Sequence, residues 1–260
     1  MEIPRSIFGL LGKRLDYSFS RSYFSQKFES VGLSDHEYRN YEIKDVGGLA
    51  RFRESVIYNK QSRLTNGKKE ILRGLNVTIP YKESIIEVLD SVSDEAQIIG
   101  AVNTITIEDN LWTGHNTDAY GFAKSLVPQL PIKGNALILG TGGASKAVAY
   151  ALDALQIPHL YVSRSPGNEA TIGYSQLDRE VMESVGLIVN TTPLGTHPDV
   201  TGKPDIPYHL LGSHHLLYDL VYNPQQTLFM KLGLQRGCNV TNGYEMLVHQ
   251  AERAWELWNQ

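Results

Sequence analysis

The chain has 260 residues, of which 42% are hydrophobic and 20% are charged, and this composition is typical of a soluble protein with one or two domains. The net charge of −4 and the lack of a basic run argue against nucleic acid or an anionic membrane as a partner. No basic segment followed by an apolar one opens the chain, and its single cysteine cannot form an internal disulfide. We therefore expect a cytoplasmic protein without a signal peptide.

The first half of the chain mixes strand and helix patterns. Apolar, β-rich runs predict strands over residues 6–12, 41–46 and 75–80. Apolar residues at helical spacing predict helices over residues 21–33 and 81–92, and Pro80 suits the entry to the second helix. Residues 101–109 and 110–116 resemble two strands joined by a turn at Asp109-Asn110. This half is therefore predicted to be α/β.

From about Asp118 the chain alternates buried strands with helices. Strand-like runs cover residues 135–140, 159–164, 186–192 and 216–222, and helical stretches cover residues 144–157 and 226–235. Such alternation predicts βαβ units and a parallel sheet. Residues 243–258 then form an amphipathic helix, with Leu247, Ala251, Ala254 and Trp258 on one face.

A glycine-rich turn after the first of these strands is the clearest chemical signal. Gly140 permits a sharp turn, Gly142 lets backbone approach a pyrophosphate, and a helix predicted to begin near Ser145 offers free N–H groups to the phosphates. Ser145 replaces the third glycine of the usual G-x-G-x-x-G pattern. The strand before and the helix after the turn favour a dinucleotide site over a plain tight turn.

The end of the next strand indicates which dinucleotide is bound. A site for NAD carries an acidic residue there for the ribose 2′-hydroxyl, whereas this chain has Ser163-Arg164-Ser165. Because arginine matches a phosphate in charge and shape, the pattern favours NADP(H). The alternative is that Arg164 is an ordinary solvated loop residue.

Lys82 raises a separate question, because the pattern places it in the first turn of the helix over residues 81–92. The helix dipole disfavours a cation at that position. Lys82 is therefore either an ordinary solvated lysine or a group whose proton is movable. Asp118 likewise is either a helix-capping acid or a catalytic carboxylate.

Five motifs in order, "NVTIPYK", "AVNTI", "GHNTDAYGF", "GTGGASKA" and "GYEMLVHQA", resemble the shikimate dehydrogenase family over nearly the whole chain. The resemblance implies NADPH-dependent, reversible reduction of 3-dehydroshikimate to shikimate in the biosynthesis of chorismate and aromatic amino acids. It implies an α/β fold with an N-terminal substrate domain, a C-terminal Rossmann-type dinucleotide-binding domain and a cleft between them. The expected domains are residues 1–117 with 243–260 for the substrate and residues 118–242 for NADP.

The resemblance also assigns roles to individual residues. Lys82 and Asp118 match the catalytic pair. The substrate-binding positions match Ser18, Ser20, Thr78, Asn103, Tyr222 and Gln250. The cofactor-binding positions match Gly140, Thr141, Gly142, Gly143, Ala144, Ser145, Ser163, Arg164, Leu220 and Gly243. Hydroxyls and amides of this kind suit a small polyhydroxylated carboxylate.

Two departures from the family pattern bear on these roles. The usual H-S-x-S-P motif is Tyr17-Ser-Phe-Ser-Arg21 here, so the serine loop has lost its histidine and its proline. The family often has a second cation soon after the position of Arg164, and this chain does not. The 2′-phosphate would then depend on Arg164 alone.

Other readings remain open on the sequence alone. A quinate/shikimate dehydrogenase that uses NAD and a catalytically silent dinucleotide sensor share the same fold, although a sensor needs neither Lys82 nor Asp118. No metal site is expected, and four histidines are interpreted as exposed loop residues: His197, His209, His214 and His215. The expected partner is the small-molecule substrate, with no nucleic acid or membrane, and homodimer formation stays open.

Overall fold

The computed structural model describes residues 4–15, 18–59, 64–65, 68–167 and 171–260. The chain divides into two compact units, the first formed by Met1–Thr117 with Ala251–Gln260 and the second by Asp118–Gln250. The last helix contributes its final residues to the first unit and its earlier residues to the second. The substrate and cofactor roles assigned to the predicted domains, residues 1–117 with 243–260 and residues 118–242, stay a prediction.

The first unit is built on a mixed sheet flanked by helices. Its strands are β1 (Arg5–Gly12), β2 (His36–Glu42), β3 (Leu64–Thr65), β4 (Lys68–Val77), β5 (Ser91–Val92), β6 (Thr104–Glu108) and β7 (Leu111–His115). Its helices are α1 (Phe19–Ser30), α2 (Gly47–Asn59) and α3 (Asp94–Ile99). The strand order is β2-β1-β4-β6-β7-β5, with β3 paired to β4. β1 lies parallel to both β2 and β4, and β6 is antiparallel to β4 and β7.

The end of the chain packs against this sheet. A Cβ on Gly74 of β4 would lie 2.1 Å from Nε1 of Trp258, so only glycine leaves room for the indole. The same Nε1 donates to the carbonyl of Ile105 at 3.0 Å, which fixes the ring in place. The end of the last helix thus lies on the sheet of the first unit, and the assignment of residues 243–260 to a substrate domain stays a prediction.

The second unit is a doubly wound α/β fold. Its strands are β8 (Asn135–Leu139), β9 (His159–Ser163), β10 (Thr171–Gly173), β11 (Val185–Asn190), β12 (Leu216–Asp219) and β13 (Asn239–Asn242). Its helices are α4 (Asp118–Leu126), α5 (Gly143–Ala154), α6 (Arg179–Glu183), α7 (Leu228–Leu234) and α8 (Tyr244–Trp258). All neighbouring strands are parallel, in the order β10-β9-β8-β11-β12-β13. Counted from β8 this is 3-2-1-4-5-6, the order of Rossmann sheets, so the predicted fold class is confirmed.

Most predicted elements are present within a few residues, and the predicted turn is formed by Asp109 and Asn110, both at positive φ. The strand predicted over residues 41–46 is wrong, because β2 lies earlier and shares only Tyr41 and Glu42 with it. The strand predicted over residues 75–80 ends at Val77, and α2 was not predicted.

The helix predicted over residues 81–92 is also wrong. Only a 3-10 helix forms, over Ser84–Val88, and the end of the predicted helix is instead β5. The carbonyl of Lys82 accepts the backbone N–H of Val102 at 2.7 Å rather than a donor four residues along an α-helix. The carbonyl of Lys82, which an α-helix would use for its own hydrogen bond, is thus occupied by the contact with Val102. Lys82 lies in the preceding turn, so the helix-dipole argument does not apply to it.

A carboxylate is buried at the carboxyl end of the second sheet. Asp219, at the end of β12, is 0% exposed and accepts from Asn190 Nδ2 at 2.9 Å, Val221 N at 3.1 Å and Thr227 Oγ1 at 2.6 Å. All three donors are uncharged. Burial disfavours the ionised form and raises the pKa of Asp219 to about 6, although the three hydrogen bonds oppose that shift.

Gly74→Ala should destabilise the protein by about 1–3 kcal/mol, because the added methyl group must displace a hydrogen-bonded indole. The measurement is the free energy of unfolding from chemical denaturation. Gly47→Ala is the control, since a Cβ there meets only the ends of two exposed side chains, Arg51 at 3.3 Å and Asp45 at 3.4 Å. A Gly74→Ala protein as stable as the Gly47→Ala protein would show that Trp258 does not restrict this strand.

The buried carboxylate predicts a specific pH dependence of stability. Because the folded pKa of Asp219, about 6, lies above its ordinary value of 3.8, the native state holds more protons in that window and loses stability as the pH rises through it. Asp219→Asn removes this term. Between about pH 5 and 8 the variant should gain about 1–2 kcal/mol relative to wild type.

The measurement is urea denaturation of both proteins at several pH values, with the exposed Asp205→Asn as the control for a generic loss of charge. A stability difference between wild type and Asp219→Asn that is constant with pH would contradict the raised pKa.

Candidate functional site

Most of the predicted substrate residues of the first unit gather at one edge of its sheet. β1 and β4 are parallel and end at Gly12 and Val77. β7 runs in the same direction as β4, because each is antiparallel to β6, and it ends at His115. The segments that carry the predicted site residues therefore leave or enter the sheet at the same edge.

Ser18 and Ser20 lie where α1 begins. Ser18 is the N-cap residue of α1, but its hydroxyl makes no capping bond. Its Oγ atom is buried and has no hydrogen-bond partner among the described residues. Ser20 is buried and hydrogen-bonds to Tyr38. Burial raises the pKa of Tyr38 well above its ordinary value, and the contact with Ser20 only partly opposes that increase. Tyr17, at the position of the missing family histidine, lies outside the described residues.

The loop before Ser18 is held by the end of β2. The backbone N–H of Leu15 donates to Glu42 Oε1 at 3.0 Å, and its carbonyl accepts from Asn40 Nδ2 at 3.1 Å. The carbonyl also accepts the backbone N–H of Ser18 at 3.2 Å. These contacts fix Leu15 and the backbone of Ser18 relative to the end of β2.

Thr78 and Lys82 lie in the turn that follows β4. The N–H of Thr78 donates to the carbonyl of Leu11 at 2.9 Å, and its own carbonyl accepts from Tyr81 N at 3.0 Å. Lys82 is partly buried, and its carbonyl is bonded to Val102, the residue before Asn103. The structure therefore brings the backbone segments of Thr78, Lys82 and Asn103 together.

Asn103 ties this segment to the end of the first unit. It is 2% exposed, and its Oδ1 accepts from Thr117 N at 2.7 Å while its Nδ2 donates to Thr117 Oγ1 at 3.0 Å. Thr117 is the residue before Asp118. Asp118 is buried and is the first residue of α4, so it occupies the helix first turn that the sequence allowed.

A chain of buried hydrogen bonds links these residues and was not predicted. Tyr38 donates to Asn76 Oδ1 at 2.7 Å, and Asn76 Nδ2 donates to Thr104 Oγ1 at 3.2 Å. Thr104 in turn lies 3.1 Å from Thr117 Oγ1. The signal was available, since Asn76, Thr104 and Thr117 stand beside predicted site residues inside the motifs. Tyr38 had no such signal, because only the sheet brings it near.

The glycine turn of the second unit has the geometry expected of a phosphate loop. Gly140 has φ +118°, and a Cβ there would lie 2.7 Å from Thr191 Oγ1, so glycine is required on both counts. At Gly142, the N-cap of α5, no atom lies within 4 Å of the position of a Cβ, which leaves space for a ligand. Ser145 is buried and donates to the carbonyl of Gly142 at 2.6 Å.

The position of this turn also fits a dinucleotide. α5 begins at Gly143, two residues earlier than predicted, so Gly143 and Ala144 present the first N–H groups of the helix. β8 lies between β9 and β11, where the strand order reverses. Parallel α/β sheets bind ligands at the carboxyl ends of the strands at such a point.

Ser163 and Arg164 occupy the end of β9, beside β8. Ser163 is the last residue of the strand, and its Oγ accepts from Ser165 N at 3.2 Å. Arg164 is exposed. It is close enough to Tyr174 to oppose the increase in the pKa of that phenol, which burial causes. A cation is therefore available where the sequence predicted recognition of a 2′-phosphate.

Leu220 and Gly243 are in direct contact. A Cβ on Gly243 would lie 2.1 Å from the carbonyl oxygen of Leu220, so any larger residue would displace that backbone. The N–H of Leu220 donates to the carbonyl of Asn190 at 2.9 Å. Two residues that the family places beside the nicotinamide are thus brought together by the fold.

Gln250 and Tyr222 complete the predicted set. Gln250 is 8% exposed on α8, and its Nε2 donates to the carbonyl of Leu247 at 3.0 Å. A Cβ on Gly121 of α4 would lie 3.0 Å from Cβ of Gln250, so the two helices are in close contact there. Tyr222 is partly buried, three residues after the end of β12.

Histidines do not form a metal site in the described part of the chain, where no three His, Cys, Asp or Glu residues are grouped to hold an ion. The prediction that all four late histidines are exposed is wrong for His215, which is 1% exposed. Its ring contacts Gly212 and the carbonyl of Met182, and burial lowers its pKa. None of the described helices has the length and apolar character needed to cross a bilayer.

Comparison with known proteins agrees with the geometry. A sequence model described as the shikimate dehydrogenase substrate binding domain matches residues 10–105. A protein of Clostridium beijerinckii named shikimate dehydrogenase (NADP(+)) is 37% identical over 262 residues, covering 97% of this chain and 92% of that relative.

Solved structures agree as well. Shikimate dehydrogenase 1 from Peptoclostridium difficile matches with a TM-score of 0.83 and 32% identity, over 98% of this chain and 92% of that one. Shikimate 5-dehydrogenase from Thermus thermophilus, solved in complex with NADP(H) and shikimate, matches with a TM-score of 0.80 and 31% identity, over 97% of this chain and 92% of that one. This chain belongs to the shikimate dehydrogenase family.

Proposed function

We propose that this chain catalyses the reversible, NADPH-dependent reduction of 3-dehydroshikimate to shikimate. The observation that carries the proposal is the arrangement of the second unit, where a glycine turn with open space at Gly142 lies at the switch point of a Rossmann sheet. The Clostridium beijerinckii relative is named for NADP(+), and the Thermus thermophilus structure holds NADP(H) and shikimate. These names favour NADP and shikimate over the readings that use quinate with NAD or lack turnover.

Residues of the second unit fit the cofactor. The turn from Gly140 to Ser145 would hold the pyrophosphate, since the first N–H groups of α5 carry partial positive charge. Arg164, with Ser163 beside it, would pair with the 2′-phosphate. Leu220 and Gly243 would border the nicotinamide. When it is bound, NADPH supplies the hydride, and the protein supplies orientation and a proton.

Residues of the first unit, with Tyr222 and Gln250, fit the substrate. The hydroxyl of Ser18 has no partner among the described residues, so a substrate carboxylate would satisfy it, and Ser20 would add a second donor. Thr78, Asn103, Tyr222 and Gln250 provide further hydroxyl and amide groups. A site built from such groups rejects analogues that lack the matching hydroxyls, because its own polar atoms would be left unpaired.

Lys82 and Asp118 are the proposed acid–base residues. Carbonyl reduction places negative charge on the substrate oxygen, and a lysine ammonium group can donate the proton that neutralises it. Asp118, buried at the start of α4, would act with Lys82 as the paired carboxylate. The direct test of the function is the loss of NADPH absorbance with 3-dehydroshikimate, and no loss above the rate without substrate would overturn it.

Replacement of Lys82 should separate chemistry from folding. Lys82→Met should lower kcat by ~10²–10⁴-fold, the range for a lost general acid, while NADPH affinity is retained. Steady-state kinetics and cofactor titration are the measurements, with the exposed Lys44→Met as control. Asp118→Asn should also lower kcat, and the double variant should be little worse than the poorer single variant, because the pair acts as a unit.

A Lys82→Met enzyme whose kcat stays within a few-fold of wild type would show that Lys82 is not the general acid.

Replacement of Arg164 tests the choice of cofactor. Arg164→Ala should weaken NADPH binding by roughly tenfold, the low end for a hydrogen bond to a charged group, because Arg164 is exposed. NADH affinity should stay the same, since NADH has no 2′-phosphate. Fluorescence titration with both cofactors measures this, with Arg236→Ala as an exposed control. Equal losses for NADPH and NADH would show that Arg164 does not recognise the phosphate.

A further inference from the structure

The buried carboxylate of Asp219 connects three separate pieces of the second unit. Its Oδ1 accepts from Asn190 at the end of β11 and from Val221 in the loop after β12, and its Oδ2 accepts from Thr227. Thr227 is the N-cap of α7, and its Oγ1 also accepts from Met230 N at 3.3 Å. One side chain thus fixes both ends of the loop between β12 and α7.

Asn190 extends this network toward the cofactor loop. Its Oδ1 accepts from the N–H and the hydroxyl of Thr192 at 3.1 and 2.6 Å, which shapes the loop after β11. Thr191 donates from both N and Oγ1 to the carbonyl of Leu139, at 3.1 and 2.7 Å. Leu139 is the residue before Gly140. The ends of β8, β11 and β12 are therefore joined by side-chain hydrogen bonds in addition to the sheet.

The far side of the network meets the proposed nicotinamide site. Leu220 follows Asp219 directly, and its N–H donates to the carbonyl of Asn190. Its own carbonyl packs against Gly243. The N–H of Gly243 donates to the carbonyl of Val221 at 3.4 Å. Leu220 is thus held between two fixed neighbours, and Tyr222 lies two residues further along the same loop.

The three hydrogen bonds that Asp219 accepts offset the cost of burying its carboxylate. An apolar residue of similar size would leave those three donors unpaired. An aspartate at this place instead accepts from donors on two different loops at once. All three donors are uncharged, so the role of Asp219 depends on where its two oxygens accept.

We propose that Asp219, with Asn190, is a positioning residue that fixes the loop after β12 so that Leu220 and Tyr222 stand correctly for hydride transfer. The inference rests on the proposed function, because it assigns the nicotinamide to this end of the sheet. It concerns the reacting end of the cofactor only. Among the described residues Asp219 itself hydrogen-bonds to Asn190, Val221 and Thr227, and not to Arg164 or the glycine turn, which would hold the adenosine end.

The test compares Asp219→Ala with Asp219→Asn. The asparagine variant can keep all three contacts, because its Oδ1 still accepts and its Nδ2 can donate to the Thr227 hydroxyl. The alanine variant loses them all. The measurements are kcat with 3-dehydroshikimate and NADPH, and affinity for 2′-phosphoadenosine 5′-diphosphoribose, a fragment that lacks nicotinamide. The exposed Asp205→Asn is the matched control.

Asp219→Ala should lower kcat by at least about tenfold, because small displacements of reacting groups are costly, while the fragment binds within about twofold of wild type. Asp219→Asn should recover kcat to within about threefold of wild type. An Asp219→Ala variant with wild-type kcat would overturn the proposal. So would a loss of fragment affinity as large as the loss of kcat, or an Asp219→Asn variant as slow as Asp219→Ala. If Asp219→Ala does not fold, Thr227→Val removes the Oδ2 contact together with the capping bond from Met230 N, and it should show a smaller loss of the same kind.

Amide hydrogen exchange of the free protein gives a readout that is independent of turnover. Exchange over residues 191–195 and 220–227 should accelerate in Asp219→Ala and not in Asp219→Asn, and unchanged exchange would overturn the proposal. A wild-type protein that does not oxidise NADPH with 3-dehydroshikimate would overturn the proposed function instead. The exchange result would then decide only whether Asp219 fixes the two loops.

Discussion

Parallel strand pairing is the constraint that brings the candidate site residues of each unit together. In the second unit all the described strands point the same way, so the residues that follow β8, β9, β11, β12 and β13 emerge at one edge. Those residues begin with Gly140, Arg164, Thr191, Leu220 and Gly243. Positions separated by more than a hundred residues in sequence are thereby collected without any special local structure. In the first unit parallel pairing brings the ends of β1 and β4 to one edge, and β7 ends there because β4 and β7 are both antiparallel to β6.

Buried polar groups then fix what the strands bring together. In the first unit the Tyr38–Asn76–Thr104–Thr117 chain lies beside the predicted substrate residues, and in the second Asn190 and Asp219 join neighbouring loops. A buried polar atom without a partner is costly, so each such chain has few alternative arrangements. The hydroxyl of Ser18 is one of five buried side-chain atoms without a partner among the described residues, and it is the one at a predicted substrate position.

Sequence patterns predicted the second unit well, because buried parallel strands and amphipathic helices have strong local signals. The first unit was harder. Apolar residues over 81–92 have helical spacing, yet the N–H of Val102 donates to the carbonyl of Lys82. No local sequence pattern predicts a hydrogen bond between residues so far apart. The site residues came from motifs, whereas Tyr38 and Asp219 are defined by their tertiary partners. Their roles could be inferred only after the strand order was known.

The exposure of Arg164 has a consequence for the conditions under which cofactors are compared. An attraction between exposed charges is screened by dissolved ions, with a Debye length of about 10 Å at 0.1 M salt. A guanidinium group at the surface, without a neighbouring second cation in the sequence, therefore attracts a phosphate less strongly as ionic strength rises. The proposed preference for NADP over NAD would therefore depend on ionic strength as well as on Arg164. Values measured in dilute buffer would exaggerate it relative to the salt of a cell.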